Sequence, residues 1–250
     1  MFTGNVQEIG TVVAVDEARI AVSAPKAAAG APGSICLNGV GLTVLQTAYE
    51  TQVLEARLSA ETRRRSTFDQ IRPGTRVNVE TPLALGDPLA GHLVQGNVDA
   101  VGKIVRIDDE GAARHLWIKP PERFLSLVVA KGQIAVDGVS LSVAEVSRDR
   151  FSVTLIPLTL QASTLSGLSV GDRVNLEPDL IIRLVRRRSP DLAQAVTEVV
   201  AALPWAGRLS GGRGVQQALA QLAAGGAVVT GHRPRPGPRR PARHPPAHPG

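Results

Sequence analysis

The chain is poor in several residues on which common functions are built. It has one cysteine, Cys36, which excludes an internal disulfide and any multi-cysteine zinc set. Aromatic residues make up 3% of its 250 residues, too few for the stacking platform of a single-stranded nucleic-acid binder. Of five histidines only His92 and His115 precede the basic C-terminal stretch, which leaves no His-rich metal site. Gly, Pro or a charge interrupts every apolar run before it reaches the roughly 18 residues of a membrane-spanning helix. The opening MFTGNVQEIG has neither a basic n-region nor an apolar h-region, so no secretory signal is read and a cytoplasmic location is expected. No nucleophile elbow, P-loop or dinucleotide-binding glycine fingerprint is present.

Charge is present but segregated. Residues 1–182 hold 17 Lys+Arg against 20 Asp+Glu, a net of −3, whereas residues 183–250 hold 11 against 2, a net of +9. The folded part is therefore mildly acidic, and neither a nucleic-acid nor a membrane partner is expected. A hydrophobic fraction of 43% with 20% charged residues is that of a globular protein.

Residues 1–180 read as β-rich. Short runs such as Thr11–Val15, Arg76–Glu80 and Phe151–Leu155 alternate or nearly alternate, and Gly- or Pro-containing turns separate them. Short helices are expected near Glu61–Phe68 and Pro121–Leu127. Four blocks recur in the same order. LNGVGLTV at Leu37–Val44 returns as VDGVSLSV at Val136–Val143, and GTRVNVE at Gly74–Glu80 as GDRVNLE at Gly171–Glu177. GNVQEIG at Gly4–Gly10 returns as GNVDAVG at Gly96–Gly102, and Glu61-Thr62 before Ser66-Thr67 as Leu158-Thr159 before Ser163-Thr164. A duplicated domain of roughly 90 residues follows, too long a period and too few copies for a solenoid. The expected fold is all-β, two tandem barrels.

Two stretches invite a chemical reading. GDPLAGHLVQGNVDAVG, around His92, serves equally as an interdomain turn with a satisfied histidine. In the repeated Asn/Asp-Gly-Val block the glycine turn is a hairpin signal, while hydroxyls at Thr43 and Ser142 can also bond a flat heterocycle.

Taken together, MFTG, NGVGLTV, GHLVQGNVDAVG, KGQIAVDGVSLSV, LIPLTL with STL, and VGDRVNLEPDL resemble riboflavin synthase of the two-barrel, lumazine-binding type over about residues 1–186. The resemblance implies two six-stranded Greek-key barrels (residues 1–90 and 91–180), a short helix at 181–188 that assembles a homotrimer, and a segment at 189–250 without function. It implies a reaction in which two molecules of 6,7-dimethyl-8-ribityllumazine exchange a four-carbon unit, giving riboflavin and 5-amino-6-ribitylaminouracil with no metal or redox cofactor. By carry-over, repeat one binds substrate through Gly4, Asn5, Val6, Ser34, Gly41, Leu42, Thr43 and the stretch from Arg57 to Thr62. Repeat two binds through Gly96, Asn97, Val98, Lys131, Ser140, Leu141, Ser142, Ile156, Pro157, Leu158 and Thr159. The catalytic positions implied are Phe2, Thr43, His92, Asp137, Ser140 and Asp179.

The chain departs from the family at four ligand-facing positions. Gly41 stands for a common Cys, Asn97 for His, Asn5 for Ile and Leu158 for His or Glu. The alternative is therefore a non-catalytic lumazine- or flavin-binding protein of the same fold. Val215–Val229 resembles the opening of 3,4-dihydroxy-2-butanone 4-phosphate synthase and then turns into a Pro/Arg-rich run, which suggests a truncated fusion without activity of its own. Residues 231–250 are expected to be disordered and dispensable.

Overall fold

The computed structural model describes residues 1–30 and 32–185. The expectations for the Ala/Leu-rich and Pro/Arg-rich C-terminal segments fall outside the described residues.

Two closed barrels of antiparallel strands account for the repeat. The first is built from β1 (Glu8–Val15), β2 (Arg19–Ser23), β3 (Ser34–Leu37), β4 (Val40–Ala48), β5 (Val53–Arg57) and β6 (Arg76–Glu80), ordered β1-β2-β5-β4-β3-β6 around the ring. The second contains β7 (Ala100–Glu110), β8 (Ala113–Lys119), β9 (Gln133–Val136), β10 (Val139–Val146), β11 (Phe151–Leu155) and β12 (Arg173–Pro178), in the equivalent order β7-β8-β11-β10-β9-β12. Each is a six-stranded Greek key, and closure leaves neither barrel with a free sheet edge.

Strand alternation directs the apolar side chains inward. Ile20, Ile35, Leu37, Leu54 and Phe68 fill the first barrel, and Ile104, Leu116, Ile118, Phe151 and Leu165 the second. Bulges bend the long strands at matching places in the two copies: between Val12 and Ala14 in β1 and Ile104 and Arg106 in β7, between Val44 and Gln46 in β4 and Val143 and Glu145 in β10. Such a bulge turns one extra residue outward and tightens the coil of the strand, which small barrels need to close. Short helices stand at Ala60–Arg65, overlapping the stretch expected near Glu61–Phe68, and at Glu122–Leu125, within that expected near Pro121–Leu127. Two more, Pro25–Ala29 and Pro157–Ala162, begin on a proline that fixes φ where no intrahelical N–H is needed. Residues 180–185 are helical as well.

The alternation in β6 and β12 does not mark a solvent face. Asn78, Glu80, Asn175 and Glu177 occupy the polar positions, yet all are buried. They face a pseudo-two-fold axis between the barrels, where each bond has its counterpart. Asn78 Nδ2 donates to the Asp137 carbonyl at 2.9 Å and Asn175 Nδ2 to the Asn38 carbonyl at 2.8 Å. The Asn78 and Asn175 backbone N–H groups donate to Asn38 Oδ1 and Asp137 Oδ1, each at 2.7 Å. Their side-chain oxygens accept from Thr164 N and Thr67 N at 2.7 and 2.8 Å. A buried polar network fully paired in this way fixes one docking of the barrels, because any other leaves amides unsatisfied. At its centre Gly39 and Gly138 approach so tightly that a Cβ on Gly138 would lie 2.6 Å from the Gly39 nitrogen. Their φ of +78° and +76° is that of the primed hairpin turns signalled by Asn-Gly and Asp-Gly.

Candidate active site

The segments before β1 and β7 cross over rather than close their own barrels. Phe2 and Val94 form a two-residue antiparallel bridge on the pseudo-dyad, with bonds of 2.8 and 3.0 Å. From there each chain segment runs to the other repeat. The Gly4 carbonyl accepts from Ser140 N at 2.8 Å, and the Gly96 carbonyl accepts from Gly41 N at 2.9 Å. Val6 packs on the core of the second barrel and Val98 on that of the first. The carry-over had given each segment to the barrel it precedes in sequence, and the structure corrects this. Gly4, Asn5 and Val6 belong with repeat two, and Gly96, Asn97 and Val98 with repeat one. The physical reason is the Phe2–Val94 bridge, which sets the two strands antiparallel and sends them apart.

A cavity of about 280 Å³ results on the second barrel, and it gathers Gly4, Asn5, Val6, Ser140, Ser142, Leu158 and Thr159 from the expected set. It also takes in Gln133, Val139, Gly91, Ala162 and Ser163, which sequence reasoning missed. Gln133 was reachable: Ser34 faces Thr43 across β3 and β4 as Gln133 faces Ser142 across β9 and β10, so the repeat carries Ser34 onto Gln133. The matching positions in the first barrel are Ser34, Gly41, Thr43 and Thr62. Thr62 sits in the first turn of Ala60–Arg65, where its N–H is capped by Ser59 Oγ at 3.0 Å. Arg57 is exposed at the end of β5.

Several expected residues stand elsewhere. Leu42 and Leu141 are 5% and 6% exposed with their side chains in the barrel cores, so only their backbones are free to face a ligand. Lys131 is exposed, lies outside the lining of that cavity, and holds φ +66° with its N–H on the Val143 carbonyl. Phe2 is buried with Cys36, Val94 and Ala135, its ring against Gly41 and Gly96, and packs at the junction of the two repeats. Asp137 is likewise drawn away from Ser140. Its carboxyl turns inward at φ +43° to accept the Asn175 N–H and lines a separate cleft between the barrels. Burial pushes it up to about 7.

His92 lies outside the cavity's lining and reaches it through Ser140, which lines it. Its N–H donates to the Thr3 carbonyl at 3.1 Å, which seats the ring against the second barrel, and Nδ1 lies 2.7 Å from Ser140 Oγ. The residue is 7% exposed, and its Nε2 is buried without a partner among the described residues. Burial lowers the pKa of the imidazole, and the negative charge of Asp179 works against that shift. The ring is thus neutral near pH 7, able to exchange a proton with the Ser140 hydroxyl. Asp179 also accepts the Ile181 N–H at 2.9 Å, opening the helical stretch 180–185.

Two buried carboxylates hold the crossing segments. Glu80 accepts from Thr3 N at 2.7 Å, Thr3 Oγ1 at 2.8 Å and Gly4 N at 3.0 Å. Glu177 accepts from Gln95 N at 2.7 Å, Gly96 N at 3.0 Å and Asn97 N at 2.9 Å. Burial raises the pKa of both, against the pull of these donors. Among the described residues no group of three or more His, Cys, Asp or Glu side chains stands ready to hold a metal ion.

The comparisons with known proteins agree with this architecture. The lumazine binding domain matches twice, at residues 3–82 and 95–179. The riboflavin synthase of Mycobacterium bovis is 44% identical over 196 residues, covering 75% of this chain and 97% of that protein. That of Chlamydia muridarum is 34% identical over 189 residues, covering 74% and 92%. Among solved structures, LumP complexed with riboflavin superposes with a TM-score of 0.64 at 27% identity, over 71% of this chain and 99% of that one. With both barrels matched by one family model, the chain belongs to the lumazine binding domain family.

Proposed function

We infer that this chain is a riboflavin synthase, converting two molecules of 6,7-dimethyl-8-ribityllumazine into riboflavin and 5-amino-6-ribitylaminouracil. The observation that carries the inference is an inequality inside a duplication. The two barrels present equivalent sets of ligand-facing positions, but among the described residues only the second has a hydroxyl, Ser140, hydrogen-bonded to a neutral imidazole, His92. A reaction between two copies of one substrate, one giving and one receiving a four-carbon unit, needs two similar pockets with unequal proton chemistry. The methyl group at C7 of the lumazine is acidic because its carbanion delocalises into the ring, so orientation and modest acid–base help suffice. In the second cavity Ser140 Oγ exchanges a proton with the substrate and His92 Nδ1 takes it up or returns it. Backbone groups of Gly4–Val6, with Ser142, Gln133 and Thr159, orient the heterocycle and its side chain.

Gly41, Asn97, Asn5 and Leu158 favour the non-catalytic alternative. The Ser140–His92 pair weighs against it, as do relatives at 44% and 34% identity that are riboflavin synthases. Incubating the purified protein with the lumazine decides between them. One riboflavin formed per two lumazines consumed establishes the enzyme, and spectral binding without riboflavin establishes a carrier.

A homotrimer and a cytoplasmic location belong to the same proposal. Ile156 and Leu158, at 54% and 70% exposure, put apolar surface beside the second cavity, suited to cover by a neighbouring subunit. Sedimentation equilibrium that finds three chains per particle tests the assembly. Cys36 is buried and unpaired, as suits a reducing compartment, and cell fractionation tests the location.

A further inference from the structure

We propose that Glu80 and Glu177 are positioning residues that act across the dyad: Glu80, in the first barrel, sets the ligand site of the second, and Glu177, in the second, sets that of the first. The proposal rests on the riboflavin synthase reading and concerns how its two sites are held.

Each carboxylate is 4% or 3% exposed, and among the described residues neither pairs with a cationic side chain. An uncompensated buried carboxylate is costly, and a hydrophobic side chain of that size would serve the fold at least as well. What offsets the cost is a concave row of backbone N–H groups. Gly4 and Gly96, at φ +73° and +81°, turn the N–H groups of residues 3–4 and 95–97 toward one point, and a carboxylate occupies it. The segments so captured are those that cross over. Gly4 passes its carbonyl to Ser140, and Asn5 and Val6 line the second cavity, while Gly96 passes its carbonyl to Gly41. Glycine-containing segments have many other conformations available, so a site built on their backbone depends on the group that selects one. Charge-assisted bonds from an anion to backbone N–H groups are the strongest polar contacts on either segment.

Glu80→Gln and Glu177→Gln test this, because each replaces one acceptor oxygen with an NH2 group aimed at donors and changes no volume. Thr43→Trp fills the first barrel's site and Ser142→Trp the second's, so that each background leaves one site open to riboflavin, read by quenching of its fluorescence. With only the second site open, Glu80→Gln weakens riboflavin by about tenfold or more and Glu177→Gln by less than about twofold. With only the first open, the order reverses. Weakening on the same barrel as the substitution, or equally on both, overturns the proposal. Amide hydrogen exchange reads the grip with no ligand. Glu80→Gln speeds exchange at Thr3, Gly4 and Asn5 by about tenfold and leaves Gln95–Asn97 unchanged, and Glu177→Gln does the converse. Unchanged exchange at the gripped segment overturns the proposal too. Absence of riboflavin binding in the unsubstituted protein would instead refute the riboflavin synthase reading, leaving the exchange result to judge the carboxylates. If Glu80→Gln does not fold, Thr3→Val removes only the hydroxyl bond to Oε1 and the 3.2 Å bond that hydroxyl accepts from Asn5 N. It then weakens the second site alone by about threefold, and no loss there counts against the proposal.

Discussion

The two barrels have one topology and unequal chemistry. Where the second has Ser140 the first has Gly41, and where the first has Asn38 on the dyad the second has Asp137. The larger inequality lies outside the barrels. Duplication needs one linker, and His92 sits on that linker, with its backbone on Thr3 and its ring on Ser140. A residue of the connection has no copy. The difference teaches that a duplicated protein gains asymmetry most directly at the join, without disturbing either copy.

The strongest way to break the comparison is at the dyad itself. Gly138→Ala puts a Cβ 2.6 Å from the Gly39 nitrogen at a left-handed φ, and should cost about 3 kcal/mol. Gly74→Ala has the same kind of φ, +86°, with open space around it, and should cost about 1 kcal/mol. Urea melts of the pair separate crowding from backbone strain, and equal losses would contradict the packed interface. Next, His92→Ala should lower kcat by about a hundredfold with little change in KM, measured as riboflavin formation. Because the imidazole must be neutral and burial lowers its pKa, the acid limb of the unsubstituted enzyme should lie below the ordinary histidine value of 6.5. A limb above that value would mean another group is titrating.

Asp137→Asn makes the two repeats alike on the dyad. The buried carboxyl titrates at about 7 in the folded chain against an ordinary 3.8. Between those values the folded state keeps a proton that the unfolded state has released, so stability falls as pH rises from about 4 to 7 and is flat above. Asn cannot ionise and still accepts from Asn175 N–H. The variant should therefore gain up to about 4 kcal/mol at pH 8 and little at pH 4, seen as a Tm rise at the higher pH alone. The mildest change is Gly41→Ser, which copies Ser140 into the first barrel. Its Cβ would lie 3.3 Å from the Gly96 carbonyl oxygen, a tight fit costing under about 1 kcal/mol. With no imidazole beside it among the described residues, kcat should change by less than about threefold. A tenfold gain would show that the hydroxyl alone makes the inequality.

The duplication was legible because turn glycines and alternating runs recur at fixed spacing, and both barrels follow from that. Part of the expected set gathers at one cavity, but which segment serves which barrel was not legible. Gly4–Val6 directly precede β1, so sequence proximity assigns them to the first barrel, whereas a through-space bridge from Phe2 to Val94 sends them to the second. Asp137 and Ser140 lie three residues apart across a hairpin turn, and no pattern in the letters tells that one faces the dyad and the other the cavity. The burial of Asn78, Glu80, Asn175 and Glu177 was not legible, because alternation records polarity and not the presence of a second barrel.

The bulges date the architecture. Val13 and Leu45, the residues they turn outward in the first barrel, are apolar and 45% and 42% exposed, which the interior would not ask of them. Their counterparts Val105 and Ala144 occupy the same repeat positions. An inserted residue found at two matching places in both copies is older than the copying, so the ancestor was already a curved, closing single barrel.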